Sequence, residues 1–231
     1  MSSAVIGAGS MGIGIAYVLA AAGQDVALVD QNESALDVAT TSLAAIAQRS
    51  VDRGRIGPAD AAALISRISR STELDAVADV DLVIEAVFED LDLKCRLLAD
   101  VEAVVDGRAV LATNTSYLDV ERMADGLKDP TRLIGMHFFN PVPAMRLVEV
   151  VRARRSDPVA VAAALGLVVR LGKQPVVAQA AEGFVGNRLF AASRRHAEYL
   201  IEDGATPAQV DAAARTFGFA MGPFATADLW G

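Results

Sequence analysis

Short apolar runs and amphipathic segments alternate along the first three quarters of the chain. SAVIG at 3–7 has strand length, IAYVLAAAG has helical periodicity and stops at Gly23, and DVALVD at 25–30 reads as a second strand. Residues 32–50 form a helical pattern with Asn32 as cap and Glu33 in its first turn. Gly57-Pro58 opens PADAAALISRI, and 68–72 has room for a short strand. DVDLVIEA at 79–86 looks like a buried parallel strand, followed by a helix to about Val105 and another strand, AVLAT, at 109–113. LIGMHF and MRLVEVV read as a strand pair joined by the turn Asn140-Pro141-Val142-Pro143. In the second of them Met145, Leu147 and Glu149 share one face, and Arg146, Val148 and Val150 the other. A helix is expected over 156–171, with Ser156 as N-cap and Pro158 in the first turn, then a strand at 173–179. Strand signals stop there. EGFVGNRLFAASRRHAEYLIEDG is one helical run ending at Gly204, and Thr206-Pro207 open another.

Strands alternating with helices predict an α/β fold: a Rossmann-type, doubly wound, mostly parallel sheet over residues 1–180. Residues 181–231 are expected to form a smaller all-α domain, too small for a comfortable core of its own, so that it packs on the first domain, on another subunit, or on both. Composition fits a globular protein, with 53% hydrophobic and 22% charged residues. The balance of 21 basic and 29 acidic residues, net −8, argues against general nucleic-acid binding and against an anionic membrane surface. No apolar run is long enough to span a bilayer, and no secretory leader opens the chain. The single cysteine, Cys95, allows no internal disulfide and fits a reducing cytosol, so a cytoplasmic protein is expected. No metal site is expected.

Candidate chemistry gathers at the ends of the predicted strands. Gly7-x-Gly9-x-x-Gly12, with Ser10 and Met11 inside it, follows a strand and opens a helix, and Asp30 ends the next strand 18 residues after Gly12. That context, rather than three glycines alone, is the dinucleotide-binding pattern. Asp30 can accept from both adenosine ribose hydroxyls and would repel a 2′-phosphate, which selects NAD over NADP. Arg49, Arg53 and Arg55 are the densest basic cluster in an acidic chain; they can be a solvated face or hold phosphates of a large anionic substrate. Glu85, Glu89, Lys94 and Ser116 fall at or beyond carboxyl ends of strands, where ligands bind in such sheets. His137 and Glu149, twelve residues apart, can meet across the predicted hairpin. A carboxylate on one ring nitrogen fixes the tautomer and lets the other nitrogen exchange a proton near neutral pH. The alternative is a strand-end histidine beside a glutamate exposed on an edge strand. His196, among Arg194, Arg195 and Glu198, reads as a solvated helix-face residue.

VIGAGSMGIGIA, IGMHFFNPVPAMRLVEVV, NTS at 114–116, GFVGNRL at 183–189 and MGPFATADL at 221–229 together resemble the L-3-hydroxyacyl-CoA dehydrogenases, including the 3-hydroxybutyryl-CoA dehydrogenases, over essentially the whole chain. The resemblance implies NAD as cofactor and oxidation of a 3-hydroxyacyl-CoA thioester. It implies His137 as general base, Glu149 as its electrostatic support, and Ser116 and Asn187 as hydrogen-bond partners of the substrate. Asp30, Glu89, Lys94, Ser116 and Asn140 look like NAD contacts, and Arg49 and Arg53 stand where the family has lysines near the CoA phosphates. This chain departs from the pattern at Tyr117, which replaces a small residue, and at Glu182, which replaces a proline before Gly183-Phe184. The family's helical domain, part of it a homodimer interface, usually continues past Trp230-Gly231, so the domain is expected to be partial here. Two other readings share these residues: the same chemistry on an acyl-carrier-protein thioester, and a NAD-binding structural or regulatory protein without turnover.

Overall fold

The computed structural model describes residues 2–228; Met1, Leu229 at the end of the MGPFATADL motif, Trp230 and Gly231 lie outside the described residues. The chain divides into two compact units, Met1–Glu182 and Gly183–Gly231. The first is built as β1 (Ser3–Ile6), α1 (Ser10–Ala21), β2 (Val26–Val29), α2 (Glu33–Asp52), α3 (Pro58–Ser66), β3 (Ile68–Ser71), β4 (Leu82–Glu85), α4 (Leu91–Val104), β5 (Val110–Thr113), α5 (Val120–Asp125), β6 (Leu133–Phe138), β7 (Leu147–Arg152), α6 (Pro158–Arg170) and β8 (Gln174–Gln179). The eight strands make one sheet in the order β3-β2-β1-β4-β5-β6-β7-β8. Strands β1 to β6 are parallel, β7 runs antiparallel to β6, and β8 lies parallel to β7.

This order positions the site. The chain moves outward from β1 to β3, then returns to the other side of β1 with β4. The reversal opens a crevice at the carboxyl ends of β1 and β4, where a doubly wound sheet takes its ligand. Both strands are buried along their whole length, which is why they read as continuous apolar runs. Helix α1 is buried on nearly every side from Gly12 to Ala20, packing on β1, β2, α2 and α3, and it accordingly lacks a polar face. Helices α2 and α4 are amphipathic and cover the sheet with Leu36, Ala39, Leu43 and Ala47, and with Leu98 and Val101.

One local expectation changes, and one short helix was not expected. The N-cap of α6 is Asp157, which accepts from the Val159 N–H, not Ser156. The Ser156 hydroxyl is already engaged, donating to the Leu133 carbonyl and accepting from the Ala153 N–H, which ties α6 to β6 and β7. The six-residue α5, capped by Asp119, carries too little periodicity to be read from sequence.

The second unit holds α7 (Gly186–Glu202), α8 (Pro207–Phe217) and α9 (Pro223–Asp228). Thr206 and Gln209 form a reciprocal cap on α8. Asp211 of α8 accepts from the N–H groups of Phe224 and Ala225 and so caps α9. A side chain at residue 222 would fall 2.2 Å from that carboxylate, so glycine is required there. Among the described residues no helix is long and apolar enough to cross a membrane.

Candidate active site

The glycine loop lies over the crevice between β1 and β4. Gly7 adopts φ +106°, open to glycine at little cost, and a side chain there would strike the Ala86 carbonyl at 2.6 Å. A Cβ on Gly12 would sit 1.8 Å from the Gly7 carbonyl oxygen, so the close approach of α1 to the loop also demands glycine. Above Gly9 the space is open. Gly9 caps α1 without any side-chain hydrogen bond, so the first N–H groups of the helix remain for an anion. A cavity of about 600 Å³ follows, lined by Gly7, Gly9, Ser10, Met11 and Asp30 on one side and by Val87, Phe88, Leu93 and Leu97 on the other. Asp30 is fixed at the rim because its two carboxylate oxygens accept from the Ala8 N–H at 2.8 Å and the Asn32 N–H at 2.9 Å. Each oxygen keeps a further lone pair for a hydroxyl. Open backbone, uncapped helix and rim carboxylate together fit a dinucleotide.

Below the crevice is a buried ionic network. Glu85, the last residue of β4, and Lys94 of α4 are 0% and 1% exposed, and they pair at 2.5 Å. The Glu85 carboxylate also accepts from the Val87 N–H and the Thr113 hydroxyl, while the Lys94 ammonium donates to the Val87 carbonyl and lies 3.4 Å from Glu89. The sequence placed Glu85 and Lys94 better for ligand contact than a random surface charge, and the resemblance made Lys94 an NAD contact. Both lie beneath the surface, and the crevice wall in that region is made by Phe88, Leu93 and Leu97. Glu89 is the member that reaches outward. One of its oxygens accepts from the Thr115 hydroxyl at 2.6 Å and from the N–H groups of Ser116 and Tyr117 at 2.8 and 3.3 Å. Partial burial alone would raise this carboxyl; the Thr115 hydroxyl, the Ser116 and Tyr117 N–H groups and the Lys94 charge outweigh it and hold it below the usual carboxylate range. Glu89 thereby fixes the loop that carries Ser116.

His137 and Glu149 are direct register partners across the β6–β7 pair, so their side chains share one face. His137 Nδ1 lies 2.7 Å from Glu149 Oε2, with 5% and 0% of the two residues exposed. The edge-strand alternative fails because β8 pairs along the outer side of β7, setting Val176 opposite Glu149. Phe139 packs its ring 4.4 Å from the imidazole. The Asn114 side chain accepts from the Phe138 N–H and joins the end of β5 to the end of β6. The glycine loop, the Ser116 loop and His137 therefore share the carboxyl edge of one sheet. Donation from Nδ1–H to Glu149 makes Nε2 the nitrogen that can accept a proton.

Residues 2–181 match the 3-hydroxyacyl-CoA dehydrogenase NAD binding domain, and 183–231 the C-terminal domain of the same enzymes. The chain belongs to the 3-hydroxyacyl-CoA dehydrogenase family. It is 40% identical, over its whole length, to 31% of the peroxisomal bifunctional enzyme of Danio rerio. The crystal structure of 3-hydroxybutyryl-CoA dehydrogenase from Escherichia coli is 38% identical and superposes with a TM-score of 0.96, over 100% of this chain and 49% of that one. The (S)-3-hydroxybutyryl-CoA dehydrogenase of Ralstonia eutropha is 34% identical, with a TM-score of 0.95, over 100% of this chain and 82% of that one. The chain spans about a third of the length of the first curated relatives it matches.

Within this family member the remaining predicted residues sit as follows. Arg49 is in the last turn of α2, Arg53 is its C-cap, and Arg55 follows Gly54; all three are exposed and have no acidic partner among the described residues. Asn140 precedes a cis peptide to Pro141 in the β6–β7 turn. Asn187 lies in the first turn of α7, in the second unit. The sequence reading missed two supports. Thr113 and Thr115 anchor the Glu85 and Glu89 carboxylates. Lys173, read only as the start of a strand, is buried and bonds to the hairpin turn. Neither carried a local signal, because each acts on a partner distant in the chain.

Proposed function

We propose that this protein interconverts a 3-hydroxyacyl thioester and its 3-oxo form with NAD, with His137 as general base and Glu149 as its electrostatic support. The observation that carries this reading is the buried 2.7 Å His137–Glu149 pair on the sheet edge that also bears the glycine loop. His137 takes the C3 hydroxyl proton at Nε2, and the buried Glu149 carboxylate holds Nδ1–H and steadies the imidazolium that forms. NAD, when bound, supplies the hydride acceptor. The N–H groups at the start of α1, with Gly7, Gly9, Ser10, Met11 and Gly12, hold its pyrophosphate, and Asp30 its adenosine ribose. Glu89, Lys94, Ser116 and Asn140 would be its further contacts. Ser116 and Asn187 donate to the substrate oxygen or the thioester. Arg49 and Arg53, exposed and without acidic partners among the described residues, take the phosphates of coenzyme A. The reading extends to a cytoplasmic homodimer, in which the exposed Leu189, Phe217 and Phe219 of the helical unit are covered.

The test is NADH oxidation by the purified chain with acetoacetyl-CoA, run beside the same acyl group on an acyl carrier protein. Turnover on the CoA thioester is expected. Turnover on the carrier alone would make the arginine cluster a protein-docking patch, and NADH binding without turnover on either would sink the dehydrogenase reading. Asp30→Ser should erode the preference for NADH over NADPH, and a wild-type enzyme that prefers NADPH would refute the role given to Asp30.

A further inference from the structure

The buried cation that the proposed chemistry does not use is Lys173. It follows Gly172, two residues past the end of α6, and directly precedes β8. It is 8% exposed, and no carboxylate among the described residues pairs with it. Its ammonium donates instead to two backbone carbonyls, Val142 and Met145, both at 2.6 Å. Burial pushes its pKa down, as expected for a cation held only by carbonyl dipoles. A desolvated ammonium is a costly way to pin two carbonyls unless their position matters. Both belong to the turn that joins the His137 strand to the Glu149 strand.

The same turn meets the dinucleotide-binding helix. Val142 is 1% exposed, and a Cβ on Gly14 of α1 would fall 2.7 Å from its Cβ and 3.6 Å from Pro143 Cδ. Val142 therefore rests where α1 has no side chain. Inside the turn, the Ala144 and Met145 N–H groups both reach the Pro141 carbonyl, and the Gln174 N–H donates to the Arg146 carbonyl at the start of β7. Lys173 adds a side-chain crosslink from the residue before β8.

We propose that Lys173 is a positioning residue: by bridging the Val142 and Met145 carbonyls it clamps the hairpin turn against Gly14 and so sets the His137–Glu149 pair relative to the cofactor loop. The catalytic part of this proposal rests on His137 acting as base. The geometric part does not.

Lys173→Met keeps the linear stem and removes the ammonium. Only two histidines occur in the chain, so the hydrogen-bonded Nδ1 proton of His137 can be followed by NMR. Expected are broadening or loss of that proton signal, a fall in kcat on the order of 10²-fold from misplacement of the base, and little change in NADH affinity. A purely structural role would lower the melting temperature and leave the signal and kcat of the folded fraction as in the wild type. That result would overturn the proposal. If Lys173→Met does not fold, Gly14→Ala decides, because its methyl would push directly on Val142 of the same turn; an unchanged proton signal and unchanged kcat there would also overturn it. If the wild type turns over neither thioester, the dehydrogenase reading fails by itself, and the proton signal in the variants still decides whether Lys173 sets the pair.

Discussion

Two fully buried carboxylates in this sheet have opposite partners. Glu85 is matched with an ammonium, a backbone N–H and a hydroxyl, and Glu149 with an imidazole. Both solve the same problem, since a lone carboxylate in the interior would cost several kcal/mol. The difference lies in what the partner can do with its proton. As a residue type, lysine releases its proton only at strongly alkaline pH, whereas imidazole exchanges one near neutrality. On the proposed chemistry the Glu85–Lys94 pair serves as a brace under the Ser116 loop, and His137–Glu149 as the pair that handles the substrate proton. Burial of an acid beside a base does not by itself mark catalysis; the chemistry of the partner does.

The sharpest way to break the comparison is to exchange the mobile proton for a fixed one. His137→Gln keeps a hydrogen-bonding group opposite Glu149 but no base. Turnover should fall by on the order of 10²–10⁴-fold, while NADH affinity, measured by fluorescence titration, stays nearly constant. Near-normal turnover would place the base elsewhere. The brace should fail differently. Lys94→Met strands Glu85 without its cation and should cost about 3–5 kcal/mol, a melting-temperature drop of roughly 10 °C in a chain of this size. Adding Glu85→Gln should recover a large part of that loss, because removing both charges is far cheaper than removing one. A double variant as unstable as the single one would show that the pair is not a coupled unit.

How much of this was legible depends on how local each feature is. The glycine loop, Asp30 and the order of strands and helices follow from spacing within a few residues, and the hairpin from alternation plus its proline turn. His137 and Glu149 could be paired because a hairpin makes register a matter of counting. The Glu85–Lys94 pair could not. Its members were visible at a strand's carboxyl end, where ligand contact is the reasonable expectation, but only the packing of α4 on β4 shows that Lys94 folds inward. Lys173 was illegible for the same reason, its partners lying 28 and 31 residues earlier. The displaced cap of α6 is a smaller case. Ser156 and Asp157 are equally good capping residues, and the long-range bond from Ser156 to Leu133 hands the role to Asp157.

The mildest test concerns Glu89, which joins the two regimes because it touches Lys94 below and the Ser116 loop above. Its carboxyl is held below the usual range in the folded chain, so it binds protons less readily there than in the unfolded chain. The stability it adds is therefore full above the ordinary carboxylate value of about 4.3 and is lost as pH falls through the lower folded value. Glu89→Gln removes the charge at every pH. The melting temperatures of wild type and variant should differ by a constant amount above about pH 5 and converge as the pH drops below about 4. Because the side chain is 40% exposed, solvent screening keeps that constant gap small, below about 1 kcal/mol. Curves that run parallel through the acid range would mean that the folded chain does not favour the ionised form of Glu89, and the support assigned to it from Thr115, the Ser116 and Tyr117 N–H groups and Lys94 would fall.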